Sequence, residues 1–230
     1  MNVTYLEHSG FVVELIDKIL VFDYYKGNLK RHLKTNKDVF IFVSHVHGDH
    51  YNPNIFLKSN FEDCTGNVAY ILSNDIIAAK AENIYYIGPD ENLEIRGVNI
   101  NTLKSTDEGV AFCVNCSGKS IYFAGDLNYW YWEEESDEYN IKMRNDYYSQ
   151  IAKIFDKHFD IAFIPLDPRL GDQYAFGLDY FVRNTNTDVI FPMHMWGNYK
   201  VIDKLIGDDI SKSYRNKIVQ IKKSSREFEL

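Results

Sequence analysis

Seven residues, Ser44-His45-Val46-His47-Gly48-Asp49-His50, gather three imidazoles and a carboxylate directly after the apolar run Val39-Phe40-Ile41-Phe42-Val43. Imidazole nitrogen and carboxylate oxygen are the donors that a borderline divalent ion such as zinc accepts. If the chain stays extended past the strand, His45 and His47 (i, i+2) point the same way and grip one ion. Gly48 permits a sharp bend, after which Asp49 and His50 face a second ion close to the first. A bound divalent ion lowers the pKa of water from about 15.7 to near 7, and two such ions hold a hydroxide beside the oxygen it attacks. Asp49 is the residue placed to orient that nucleophile and accept its proton. Histidines satisfied inside a core or on a polar turn are the competing account, and it explains the clustering less well.

Other donors stand where extended segments end. Ile121-Tyr122-Phe123-Ala124-Gly125-Asp126 closes a strand pattern in Gly-Asp, which sets a carboxylate at a sheet edge where glycine lets backbone approach closely. Residues 189–191 run into Pro192-Met193-His194-Met195-Trp196, and residues 160–165 into Leu166-Asp167. Residues 3–8 end at His8-Ser9-Gly10, and residues 19–23 at Asp23. In parallel α/β architecture functional groups gather beyond the carboxyl ends of strands. His8, Asp23, His45, Asp126, Asp167 and His194 are therefore expected on one rim. His158 precedes its strand and belongs on the opposite rim, while His32 lies in a polar connection without a partner motif. Neither is a candidate ligand.

The elements that must hold this rim follow from hydrophobic pattern and turn chemistry. Strands at 3–8, 11–15 and 19–23 form a meander, followed by a short helix or irregular connection at 29–36 and the strand at 39–43. Pro53 suits the first turn of a helix through 58. Strands at 68–72 and 84–87 flank a helix at 74–81, capped by Ser73 or Asn74. Strands return at 93–95, 98–103, 109–114 and 120–124, the last two joined by a Ser117-Gly118-Lys119 hairpin turn. Helices at 141–155, 177–184 and, after Gly197-Asn198-Tyr199, to about 205 then alternate with strands at 160–165 and 189–191, before strand-like residues 218–221 and a charged tail. Meander followed by β/α units occurs twice, without a sequence repeat. This order predicts an α/β fold of two sheets packed face to face with helices outside.

Composition bounds the partners. A chain of 230 residues that is 45% hydrophobic can bury a large core. No run approaches the roughly 18 apolar residues of a membrane-spanning helix, and the start enters a strand pattern without a signal peptide. Three cysteines give no disulfide framework, so a reducing, cytoplasmic address is expected. Cys113-Val114-Asn115-Cys116 matches C-x-x-C, but in an alternating strand i and i+3 face opposite sides, and no second pair exists to complete a zinc site. A formal net charge of -8 argues against a nucleic-acid backbone or an anionic membrane as main partner and for a small-molecule substrate. Lys26, Lys30 and Arg31 are the local basic residues to check against that reading.

The H-x-H-x-D-H motif after a hydrophobic strand resembles the signature of the metallo-β-lactamase-fold hydrolases. His8-Ser9-Gly10, Asp23, Gly125-Asp126 and His194 extend the resemblance over most of the chain. It implies a four-layer αββα sandwich of two mixed β-sheets, built by residues 1–230 as one metallo-hydrolase domain of two pseudo-duplicated halves. It also implies one or two zinc ions held by His45, His47, Asp49, His50, Asp126 and His194, with Asp126 bridging and His194 completing the second site. The implied reaction is hydrolysis of an ester, lactone, amide or phosphodiester. Diiron oxygen-reducing relatives usually carry Glu at the position of His47, so histidine there favours hydrolysis. The compact chain and its His-Ser-Gly start look most similar to the branch of sugar-phosphate lactonases and phosphodiesterase-like enzymes.

The chain departs from that family at one place. Most members carry another histidine between the first motif and the Gly-Asp, as third ligand of the first metal, whereas here none lies between His50 and His158. Leu103-Lys104-Ser105-Thr106-Asp107-Glu108-Gly109 occupies the corresponding region. Either Asp107 supplies an oxygen ligand, shifting the site towards iron or manganese, or Thr106 and Asp107 position substrate or water. His8 is a further candidate for substrate contact, and Trp130, within Tyr129-Trp130-Tyr131-Trp132, for an aromatic wall over the metals. The expected function is a metal-dependent hydrolase of ester, lactone or phosphoester bonds in small metabolites, anionic ones included. The alternatives are a metal-dependent nuclease or phosphodiesterase, which needs a basic surface beside the cleft, and a non-catalytic binding protein with a degenerate site.

Overall fold

The computed structural model describes residues 1–78, 81–223 and 226–230, whose strands form a seven-stranded and a six-stranded sheet. The first sheet opens with an antiparallel meander, β1 (Asn2–Glu7), β2 (Gly10–Glu14) and β3 (Lys18–Phe22), and continues with parallel β4 (Asp38–Val43), β5 (Val68–Ser73) and β6 (Ile84–Ile87). The second runs antiparallel through β7 (Asn92–Ile95), β8 (Val98–Lys104), β9 (Val110–Cys116) and β10 (Lys119–Phe123), then parallel through β11 (His158–Pro165) and β12 (Asn186–Met193). β9 and β10 turn through Ser117 and Gly118, both with positive φ as the tight two-residue hairpin turn demands.

Alternation along the strands sends one set of side chains between the sheets and the other outward. In β4, Phe40 and Phe42 face the second sheet while Val39, Ile41 and Val43 join an outer cluster. Aromatic rings fill the interface: Phe22 lies 4.8 Å from Phe42 and 4.8 Å from Phe123, Phe11 lies 4.4 Å from Phe163, and Phe42 lies 5.3 Å from Phe112. Full burial of each such side chain contributes about 1.5–3 kcal/mol, so this layer sets the spacing of the rim above it.

Among the described residues the α-helices are α1 (Asp137–Ile151), α2 (Phe176–Asn184) and α3 (Lys200–Gly207), all in the second half of the chain. α1 begins four residues earlier than the pattern predicts, because Ser136 Oγ accepts from Tyr139 N at 3.2 Å and Asp137 and Glu138 complement the first turn. α2 packs on β11 and β12. The outer face of the first sheet is covered instead by 3-10 turns at Lys30–His32, Pro53–Phe56 and Lys58–Asn60, where the sequence suggested a helix from Pro53 to Lys58. Asn52 caps the middle one by accepting from Asn54 N at 3.0 Å.

Two further expectations are corrected. Over 74–81 no helix forms among the described residues: the Tyr86 hydroxyl engages both Ala78 N and Ala78 O, and Ala79 and Lys80 lie outside the described residues. At the end of the chain, residues 218–221 make only an isolated bridge to Ile190, and the strand is β13 (Arg226–Glu229), antiparallel to β1. Its one apolar residue, Phe228, reaches the Phe191 ring at 5.5 Å, so a segment that reads as a charged tail serves as a charged edge strand. No helix among the described residues is long and apolar enough to cross a membrane.

Candidate metal centre

Six strand ends deliver side chains to one rim. His8 follows β1, Asp23 follows β3, Ser44 and His45 follow β4, Asp126 lies three residues beyond β10, Asp167 two beyond β11, and His194 directly follows β12. His8, Asp23 and His194 hold left-handed backbone, with φ of 57°, 41° and 65°. Such conformations cost about 1–3 kcal/mol each in non-glycine residues and persist where the surroundings dictate them. The two sheets also meet here. Gly109, at φ +68°, packs so closely that a Cβ would fall 1.9 Å from Ser44 O, and a Cβ on Gly125 would fall 2.7 Å from Ser44 Cβ.

Three overlapping groups of donors result. His8, Asp49, His50 and His194 form one, His45, His47 and Asp126 another, and Asp23, His45 and His50 the third, each with its donor atoms within 4.8 Å of one another. Asp126 faces the first two: Oδ1 is 3.2 Å from His50 Nε2 and 3.5 Å from His194 Nε2, while Oδ2 is 3.6 Å from His45 Nε2. Asp49 Oδ2 stands 3.1 Å from His8 Nε2 and 3.9 Å from both His50 Nε2 and His194 Nε2. His47, half-exposed, has its ring 4.6 Å from that of His45.

Hydrogen bonds behind the histidines fix which nitrogen faces inward. Asp23 accepts from Ser44 N at 2.7 Å, from Ser44 Oγ at 2.6 Å and from His50 Nδ1 at 2.7 Å. With its proton committed to Asp23, Ser44 Oγ accepts from His45 Nδ1 at 2.9 Å. Asp167 accepts from His194 Nδ1 at 2.9 Å. These partners assign the proton to Nδ1 in all three rings, which leaves the Nε2 lone pairs aimed at the Asp126 carboxylate. Lone pairs facing carboxylate oxygens repel unless a cation lies between them.

The electrostatics agree. Burial pushes the Asp126 carboxyl well above the usual carboxylate range, reinforced by Asp107, Asp23, Asp49 and Asp167. Burial holds His45 down at about 3, and with neighbouring imidazoles it lowers His50; it also lowers His194, so the rings are neutral and free to coordinate. Burial opposes ionisation of Asp167, but the hydrogen bonds from His194 and Arg169 outweigh it and hold the carboxyl at about 2. His45 Nε2, His50 Nε2, His194 Nε2 and Asp126 Oδ1 are all buried without a hydrogen-bond partner, whereas His8 Nε2 faces Asp49 Oδ2 at 3.1 Å. Buried polar atoms ordinarily find partners, and four convergent exceptions made of nitrogen and carboxylate oxygen fit a divalent cation.

The remaining candidates fall around this core. Asp107 is half-exposed, 3.9 Å from His47 Nδ1 and outside all of these donor groups. The Thr106 hydroxyl is committed to backbone, donating to Asn128 O at 2.6 Å and accepting from Asn128 N at 3.0 Å. Trp130 Nε1 donates to Asp126 O at 2.9 Å, and its ring lies 5.4 Å from that of His194. His8 sits among the donors, with its ring 4.2 Å from that of His194. A cavity of about 120 Å³ opens beside Asp126 and His194, walled by Trp130, Trp132, Tyr139 and Met143, with Thr106, Asp107 and Arg169 as its other polar residues. Trp132 belongs to the aromatic run expected to wall the site, whereas the sequence assigns no role to Ser44, Trp196 or Arg169. Ser44 looks like strand-end filler, and Arg169 announces itself only through the turn Asp167-Pro168-Arg169, where Asp167 Oδ1 accepts from Arg169 N at 2.8 Å.

His158 opens β11 at the far end from Asp167 and makes an exposed pair with Asp188 at 2.9 Å. His158→Ala is therefore expected to keep wild-type metal content and to shift stability by less than about 1 kcal/mol, checked by elemental analysis and a denaturant titration. Lys30 pairs with Glu62 at 2.5 Å, Arg31 with Glu227, and Lys26 lies 4.3 Å over the Tyr25 ring. The local basic residues thus face acids or an aromatic ring.

Residues 2–194 match the family described as the beta-lactamase superfamily domain. A UPF0173 metal-dependent hydrolase of Korarchaeum cryptofilum (strain OPF8) is 28% identical over 140 residues, a match covering 57% of this chain and 62% of that protein, less than two thirds of its length. Among solved structures, Igni18, a metallo hydrolase from the archaeon Ignicoccus hospitalis KIN4/I, is similar over 100% of this chain and 98% of its own, with a TM-score of 0.62 at 16% identity. The metallo-beta-lactamase fold protein YhfI from Bacillus subtilis is similar over 99% of both chains, with a TM-score of 0.60 at 16% identity. At these identities the structural likeness is one of fold.

Proposed function

Since the chain belongs to the β-lactamase superfamily, we propose that it is a metal-dependent hydrolase of an ester, lactone or phosphoester bond in a small, anionic metabolite. The observation that carries this reading is the set of four buried, partnerless donor atoms, Nε2 of His45, His50 and His194 and Oδ1 of Asp126. In this reading residues 1–230 act as one domain, and its halves meet at the site: His45, His47, Asp49 and His50 come from the first, Asp126 and His194 from the second.

His45, His47 and Asp126 would hold one ion, and Asp49, His50, His194 and Asp126 a second. Imidazole outnumbers carboxylate among these donors, and Asp107 stands outside them, which favours zinc over iron or manganese. Three donors at the first position leave a coordination place open, as a catalytic rather than structural site requires. Bound there, divalent ions supply a water acidic enough to ionise near neutral pH and polarise the oxygen of the scissile group. The chain's own residues do the rest. Asp49, a quarter exposed at the mouth of the site, takes the proton of the attacking water, and His8 Nε2 against its Oδ2 fixes that carboxylate's direction. Asp23 and Asp167 keep the imidazoles from rotating, and the Trp130 and Trp132 rings exclude bulk water from the cavity side.

Removing the metal gives the test. Chelator-treated protein should lose hydrolysis of 4-nitrophenyl esters and bis(4-nitrophenyl) phosphate and regain it with zinc. Metal present at 100 times its Kd stabilises by about 2.7 kcal/mol, so the melting temperature should fall by roughly 5–10 °C on chelation. Metal-replete protein with less than about half an ion per chain and no turnover would favour a non-catalytic binding protein.

A further inference from the structure

We propose that Arg169 is the substrate-recognition residue of this site, and that the substrate is a compact organic anion. Its apolar or aromatic body lies against the tryptophans, and its carboxylate or phosphate meets the guanidinium. The inference rests on the hydrolase reading for where the reacting bond sits, and deepens it by naming what the rest of the substrate must be.

Arg169 is fastened to the metal centre through a single carboxylate. Its Nε lies 3.0 Å from both Asp167 oxygens and its Nη2 2.6 Å from Oδ2, and the same Oδ2 takes His194 Nδ1 at 2.9 Å and Trp196 Nε1 at 3.3 Å. One edge of the guanidinium is thus spent on Asp167. The other edge carries Nη1, which makes no hydrogen bond among the described residues, and the side chain remains 47% exposed at the cavity. The guanidinium carbon lies 4.7 Å from the Trp196 ring centre and 5.6 Å from that of Trp132.

An arginine needed only to neutralise Asp167 has no reason to line a cavity between two indoles. Among the described residues lining that cavity it is the one fixed cation, the acids being Asp107 and Asp126. A planar fork stacked on aromatic rings, with a free donor edge, is suited to paired oxygens of a carboxylate or phosphate. Trp130, Trp132, Tyr139 and Met143 give the cavity an apolar wall, and its volume of about 120 Å³ suits a small body.

Of the three tryptophans of the chain, Trp130 and Trp132 line this cavity and Trp196 lies against the Arg169 guanidinium, so intrinsic fluorescence reports its occupancy without turnover. Chelated wild type, Arg169→Met and Arg169→Lys should be titrated with benzoate, phenyl phosphate and neutral benzyl alcohol. Wild type is expected to bind the anions more tightly than the alcohol, and whichever of the two binds tighter names the anionic group. Arg169→Met should weaken anion binding by about 10–100-fold with the alcohol unchanged, the loss of a hydrogen bond to a charged group. Arg169→Lys, which keeps the charge but loses the fork, should fall between, and it carries the test should the Met variant fail to fold.

In the metal-replete enzyme, Arg169→Met should raise KM for 4-nitrophenyl hydrogen succinate by a larger factor than that for 4-nitrophenyl acetate. Equal binding of anion and alcohol by wild type would overturn the proposal. So would equal weakening of both in the variants, which would mean that Arg169 only braces Asp167. Anion-selective quenching in a metal-replete protein that hydrolyses neither ester would support the recognition site and sink the hydrolase reading.

Discussion

Asp126→Ala is expected to strip the protein of bound metal and to cut turnover by about 10³-fold or more, several kcal/mol of lost transition-state stabilisation, while leaving the metal-free fold as stable as wild type or more so. The combination is unusual for a fully buried polar residue, whose removal ordinarily destabilises. It follows from how Asp126 is held. Its carboxylate makes no hydrogen bond to the protein among the described residues: Oδ1 is buried without a partner, and its neighbours are imidazole nitrogens at 3.2–3.6 Å that aim lone pairs, not protons, at it. What positions the residue is its backbone, whose carbonyl accepts from Trp130 Nε1 at 2.9 Å, and the alanine variant keeps that bond. Truncation therefore removes a desolvated carboxyl crowded by Asp107, Asp23, Asp49 and Asp167, and costs the apo fold at most one contact, to His50 Nε2 at 3.2 Å. The comparison is made in chelator, by calorimetry, beside elemental analysis of the metal-replete variant. A variant that melts more than about 5 °C below wild type in chelator would assign Asp126 a structural role and defeat the argument.

The same contrast between side chain and backbone explains what was legible in the sequence. His45, His47, Asp49 and His50 are readable because a single strand end and one glycine bend bring them together, so local geometry suffices. Asp126 and His194 are readable as residues just past apolar runs, since parallel strands must end on one rim. What holds these donors depends on pairing across the fold. Ser44 relays between Asp23 and His45 only because β3 and β4 lie side by side in register, from Phe22 against Phe42 downwards. Arg169 meets Trp132 and Trp196 across segments that no periodicity links. The 3-10 turns over the first sheet and the edge strand β13 escape for another reason: their patterns are too short or too charged to compete with helix and loop on local propensity, and packing decides them.

Asp23 should show the opposite signature to Asp126. It has no exposed surface, its backbone N donates to Phe42 O at 3.0 Å, and its carboxylate satisfies three buried donors, Ser44 N, Ser44 Oγ and His50 Nδ1, at 2.6–2.7 Å. Asp23→Ala strands all three, at about 1–3 kcal/mol for each unsatisfied group, so a stability loss of roughly 3–9 kcal/mol is expected even without metal. Asp23→Asn separates the two roles of the residue. Its amide oxygen can keep the bond from Ser44 N, but its NH2 group meets the donors Ser44 Oγ and His50 Nδ1. The least costly response is for His50 to move its proton to Nε2 and accept at Nδ1. That proton then occupies the position from which His50 faces Asp126, and metal affinity should fall by about 10–100-fold, the usual cost of losing a partner behind a ligand, with most of the folding stability retained. Chelator competition measures the affinity and a urea titration the stability. Wild-type metal affinity in Asp23→Asn would show that the carboxylate does not set the His50 tautomer, and the hydrogen-bonded frame behind the histidines would then be packing rather than part of the metal centre.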